Sequence, residues 1–127
     1  MTKEMIVPNP ERKPPGFAPA TKLGNLVFVS GHIGVDETGK VVGGIREQAQ
    51  QTFANVETAL KAASATMDDV MKITCFLVAA TDYKAYAEVR EQAFSPNSQP
   101  ASSTVVVKQL VRPEALIEIE ATAVLDS

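Results

Sequence analysis

The stretch "LIEIEATAVL", residues 116–125, alternates with a period of two. Successive strand side chains point to opposite faces, so Ile117, Ile119, Ala121 and Ala123 line one face and Glu118, Glu120, Thr122 and Val124 the other. The first face asks for a core. The second carries two carboxylates, so it either meets water or sets one of them in a site, and periodicity alone favours water.

Reading back from this strand, residues 101–110 form a second long strand, joined to it by "VRPEA". Before it, Thr81 or Asp82 caps a helix whose apolar stripe includes Tyr86, Val89 and Ala93, and Pro96 stops it. Residues 70–78, "VMKITCFLV", read as a strand, and Thr66-Met67-Asp68-Asp69 has capping-box spacing with Asp in place of Glu. From Ile45 to Ser64, Ala49, Phe53, Val56, Leu60 and Ala63 recur at spacings of four and three, the stripe of an amphipathic helix. "APATK" and "LVFVSGHIGV" pair around a Gly24-Asn25 turn, and "DETGK" turns into a short strand at Val41-Val42. Residues 1–16 hold four prolines and read as an extended N-terminal arm, with order beginning near Phe17.

This succession predicts one domain over 1–127, an α+β fold in which two helices cover one face of a mixed sheet. "TCFLV" and "STVVV" place apolar residues at consecutive positions, so both faces of those strands want burial, yet two helices cover only one. A self-associating subunit is the simplest cover, and a closed homo-oligomer follows.

Composition narrows the partners. A chain of 127 residues buries a sufficient core without staples, and its net charge of −3 and pI near 5.1 make nucleic acid an unlikely partner. The lone Cys75 excludes an internal disulfide and suits a reducing, cytoplasmic setting. No apolar run is long enough for a membrane span, and the N-terminus lacks the apolar centre of a signal peptide. One histidine, His32, leaves no Ser-His-Asp triad and no His-rich metal site, and no cofactor signature is present. Mid-strand, Cys75 reads as a small hydrophobe; Asp68-Asp69 reads as a cap.

Taken together, "LGNLVFVSGHIGVD", "QAQQTFANVETALKAA", "DDVMKITCFLV", "PASSTVVV" and "IEIEATAV" resemble the Rid family of reactive intermediate deaminases, the YjgF-like proteins, over nearly the whole chain. The resemblance implies a chorismate-mutase-like fold assembled as a homotrimer, with small-molecule clefts between neighbouring subunits. It also implies that Glu118 handles the water that attacks an imine carbon, and that Phe17, Ser30, Gly31, Ser102 and Thr104 line the substrate. Where the family has Pro-Ala-Arg-Ser and then a cysteine, this chain has Ser102 for the arginine and Thr104 for the cysteine. Phe17 stands where the deaminases usually have tyrosine, and Ala87 where they have asparagine.

A serine cannot grip a carboxylate as a guanidinium does, through two charge-assisted hydrogen bonds. Lys108 is too far along the strand to substitute, which leaves Arg112, Lys72 and Arg90 as cations a neighbouring subunit could bring. The expectation is therefore a deaminase or hydrolase of enamines, imines or related reactive metabolites, weak on 2-aminoacrylate-type imines. The alternative is a non-catalytic protein that binds or senses a small metabolite. Ribonuclease activity is disfavoured by the acidic pI and by the lack of a basic-aromatic stripe.

Overall fold

A computed structural model describes residues 2–126. Six strands form one sheet in the order β1-β2-β3-β6-β4-β5: β1 (Glu4–Ile6), β2 (Ala20–Leu23), β3 (Leu26–Ile33), β4 (Val70–Leu77), β5 (Ala101–Val106) and β6 (Ile117–Val124). The helices α1 (Ile45–Ala62) and α2 (Tyr83–Ala93) pack on one face. All neighbouring strands are antiparallel except β4 and β5. That parallel pair needs a crossover, and α2 supplies it, which brings α2 over the β5 edge.

The alternation of β6 holds residue by residue. Ile117, Ile119, Ala121 and Ala123 are buried, whereas Glu118 and Thr122 are partly exposed and Glu120 and Val124 exposed. Val27 and Val29 of β3 and Ile73, Cys75 and Leu77 of β4 join the same core. The stripe of α1 meets them through Ala49, Phe53, Val56 and Leu60, all buried, and Ala63 is buried just beyond the helix. From α2, Tyr86 and Val89 are buried, and the Phe53 ring stands edge-on to Phe94 with centroids 5.6 Å apart.

Polar side chains of α1 tie down the loops. Gln48 accepts a hydrogen bond from the Leu116 N–H (2.8 Å) and donates to the Gly43 and Glu114 carbonyls (3.2 and 3.3 Å). Asn55 donates to the carbonyls of Ile33 and Val35, each at 2.9 Å. These bonds satisfy backbone groups that leave the sheet without a partner strand.

Four expectations need correction. Order begins before Phe17, because Glu4–Ile6 pairs with β2 (Met5 opposite Thr21) and Pro10–Arg12 makes a 3-10 turn. The strand expected at Val41-Val42 shrinks to a single bridge, Val35 to Val41. There the Val42 N–H donates to Gly34 and the chain turns at once through Gly43 at φ 52°, leaving no length to pair. β5 ends at Val106 rather than at residue 110. Finally, α2 is entered through a 3-10 turn, Ala80–Asp82, and Asp82 makes no side-chain cap. The Thr66–Asp69 capping box is present, with the Thr66 N–H donating to Asp69 at 2.8 Å.

Among the described residues, none covers the sheet face away from the helices. Phe28 is 52% exposed and Val105 46% exposed there, beside Phe76, Thr122 and Glu118.

Candidate functional site

The register of β3 against β6 slips between Val29, opposite Ala121, and His32, opposite Ile119, so Ser30 and Gly31 together oppose Glu120. Such a bulge bends a strand and re-aims its side chains. Here it lays backbone against the Glu118 carboxylate. A Cβ added at Gly31 would lie 2.5 Å from Glu118 Oε2, so the acid occupies the space that any larger residue at 31 would need. The bulge is pinned by Ser30, whose hydroxyl donates to the Ala18 carbonyl (2.6 Å) and whose N–H donates to Pro19 (3.0 Å). His32 Nε2 also lies 3.3 Å from the Pro19 carbonyl. One residue before Ala18, Phe17 is 54% exposed. Gly31 and Glu118 thus lie in direct contact, and Ser30 ties the bulge to the segment that follows Phe17.

Partial burial raises the Glu118 carboxyl above the usual range, and the neighbouring Glu120 charge adds to the rise. A carboxylate with a raised pKa is a stronger base, suited to taking a proton from water and returning it.

Ser102 and Thr104 lie elsewhere. They pair with Ile73 and Cys75 of β4 and so share the helix-side face, opposite to that of Glu118. Ser102 meets a cation from its own chain: Arg90 Nη1 donates to Ser102 Oγ at 3.1 Å, and Nη2 donates to the Tyr83 hydroxyl at 3.1 Å. The guanidinium carbon sits 5.6 Å from the Tyr83 ring centre and 5.1 Å from that of Tyr86. These groups border a cavity of about 680 Å³ whose lining includes Tyr83, Ala87, Arg90, Pro100 and Ser102.

Of the three candidate cations, Arg90 therefore reaches position 102 without a neighbouring subunit. Arg112 is held by the Gly39 carbonyl (2.8 Å) and Glu114 (3.0 Å), and Lys72 stands opposite Thr122 on β6. Spacing along α2 held the signal: 83, 86, 87 and 90 fall on one helical face, beneath which β5 must run if α2 is its crossover. Cys75 and Tyr86 stay protonated and uncharged at neutral pH, since burial pushes both up to about 12. Among the described residues no group of three or more His, Cys, Asp or Glu could hold a metal, and no helix is long and apolar enough to cross a membrane.

A mixed six-stranded sheet with both helices on one face is an α+β architecture shared with solved proteins. The structure of Escherichia coli TdcF with bound serine superposes with a TM-score of 0.86 at 31% identity, covering 97% of this chain and 99% of that one. A family profile described as endoribonuclease L-PSP matches residues 11–125. The chain belongs to this family, that of the Rid or YjgF-like proteins. It is 38% identical to the 3-aminoacrylate deaminase RutC of Acinetobacter baylyi, over 97% of this chain and 98% of that one. It is 35% identical to a 2-iminobutanoate/2-iminopropanoate deaminase of Dermatophagoides farinae, over 99% and 100%.

Proposed function

We propose that this protein deaminates a reactive enamine or imine, with Glu118 as the catalytic residue that handles water. The Glu118 carboxylate accepts a proton as the water oxygen bonds to the C=N carbon. That proton passes to nitrogen, giving a carbinolamine, and the remaining hydroxyl proton follows it to nitrogen as the C–N bond breaks and the C=O bond forms, releasing ammonia and leaving a carbonyl product. The observation that carries this reading is the half-buried Glu118 carboxylate laid over Gly31 with a raised pKa. The names of the two relatives, both deaminases of small nitrogen compounds, support it.

The Glu118 and Ser102 groups face opposite ways from one sheet, so one chain holds two half-sites. A homotrimer in which the bare sheet face of one subunit meets the β5 edge of the next would complete each cleft and cover Phe28 and Val105. RNA cleavage, named in the family description, is not favoured by a chain of net charge −3 whose single histidine turns toward the Pro19 carbonyl.

The test is ammonia release from imines generated in place from several amino acids. Glu118→Gln is expected to lose about 10²–10⁴-fold in rate with its assembly unchanged. Saturable binding without turnover in the wild type would instead make the chain a metabolite-binding protein.

A further inference from the structure

A second cavity, of about 510 Å³, is bordered by the N-terminal arm, β3, the turn at Asp36–Lys40 and α1, and neither Glu118 nor Ser102 lines it. It lies on the helix side of the sheet, because His32 in its lining stands opposite the buried Ile119. β3 is three strands away from β5. We propose that this cavity binds a free α-amino acid, whose ammonium and carboxylate groups are both met by charged side chains, and that its occupancy is felt at the Ser30-Gly31 bulge. The proposal goes beyond the deaminase reading and does not depend on it.

The division of donors and acceptors carries it. The arm brings donors. Asn9 Oδ1 accepts from the Glu11 N–H at 3.3 Å, which leaves the Asn9 amide N–H groups for a ligand, and Arg12 adds a guanidinium. The other elements bring acceptors. Burial keeps His32 neutral, and with Nε2 donating to the Pro19 carbonyl its Nδ1 retains a lone pair. Gln51 Nε2 donates to Asn55 Oδ1 at 2.9 Å, so Gln51 Oε1 is left over. Glu37 adds a carboxylate, whereas Asp36 beside it is engaged by Thr38 and Lys40 of its own turn. Among the described residues Arg12 and Glu37 pair neither with each other nor with any other charge. A simple anion or cation would satisfy one of them and be repelled by the other, whereas a small zwitterion satisfies both. Pro8, Pro19 and Ala59 give an aliphatic side chain apolar surface to rest on. The same Pro19 holds the bulge: its carbonyl accepts from the Ser30 N–H at 3.0 Å and faces His32 at 3.3 Å. A ligand packed on Pro19 and His32 therefore acts on the clamp that sets Gly31 against Glu118.

The test is an NMR titration of the full chain, in its native assembly, with L-valine and with isobutylamine and isovalerate, which keep its side chain and each lose one charge. L-valine is expected to shift the backbone amides of Asn9, Arg12 and Glu37 saturably, and to bind about tenfold or more tightly than either single-charge compound. Arg12→Gln is expected to erase the advantage over isobutylamine, and Glu37→Gln the advantage over isovalerate. Both side chains are exposed, so the fold stands, and a general loss of structure would not divide the effects in this way. The Gly31 amide is expected to follow the same binding curve, and to lose its response in step with the others in Arg12→Gln. No saturable shift at this cavity, or equal binding of L-valine and the single-charge compounds, would overturn the site. A Gly31 signal that stays still, or that responds to L-valine unchanged in Arg12→Gln, would overturn the link to the bulge.

Discussion

Glu118 was legible as one of two acids on a strand face, but not as the one against backbone. Parity places Glu118 and Glu120 alike, about 7 Å apart along the strand. What separates them is the bulge at Ser30-Gly31, a feature of pairing between β3 and β6 that neither strand shows alone. The contact gives a direct test. In Gly31→Ala the new Cβ meets the far end of a flexible side chain, 2.5 Å from Oε2, so the carboxylate swings away while the fold stands. Activity is expected to fall by at least about tenfold with little change in Tm. The raised carboxyl also fixes a pH profile: kcat/KM should climb as Glu118 ionises, with a midpoint above the ordinary glutamate value. The sign for stability is opposite. The folded state holds this proton more tightly than the unfolded one, so the stabilisation is complete below the unfolded pKa and is lost as pH rises through the folded pKa. Glu118→Gln is therefore expected to raise Tm near neutrality and not in acid, as differential melting across pH would show.

The elements were legible in proportion to their periodicity. α1 carries a full amphipathic stripe and β6 a strict alternation, and both fall close to the expected bounds. β1 escaped because Glu4–Ile6 is too short for a pattern and is flanked by proline-rich chain. The role of Gln48 was equally hidden, since a glutamine next to an apolar stripe looks like surface until the loops it binds are placed. A close approach of backbones holds this layer together. A Cβ at Gly34 would lie 2.7 Å from the Gln48 carbonyl oxygen and 2.8 Å from its Cα. Here the neighbour is helix backbone and cannot rotate aside, in contrast to Gly31. Gly34→Ala is expected to destabilise the fold by about 1–3 kcal/mol, comparable to overpacking a core, as urea unfolding would measure. Its Glu118 chemistry should survive in the fraction that remains folded.

For the whole molecule, the sequence already held more apolar strand surface than two helices can cover, and the bare face with Phe28 and Val105 is that surplus. The location of the site was not legible in the same way, because the likeness that assigned Glu118 and Ser102 to one cleft says nothing of which subunit contributes each. Sheet pairing turns Ser102 to the helix side and Glu118 to the other. If each cleft joins the Glu118 half of one subunit to the Ser102 half of its neighbour, two impaired variants can repair one another. Glu118→Gln lacks the proposed base everywhere, and Ser102→Trp fills the β5 side of every cleft. In trimers mixed at random from equal amounts, roughly a quarter of the clefts draw an intact Glu118 and an intact Ser102 from different chains. Measured at low substrate concentration after subunit exchange through mild denaturant, the mixture should regain about that fraction of wild-type kcat/KM. Sedimentation should show particles of three times the 13.6 kDa chain. A mixture no more active than the average of its two components would mean that the half-sites act within one chain, or do not act together at all.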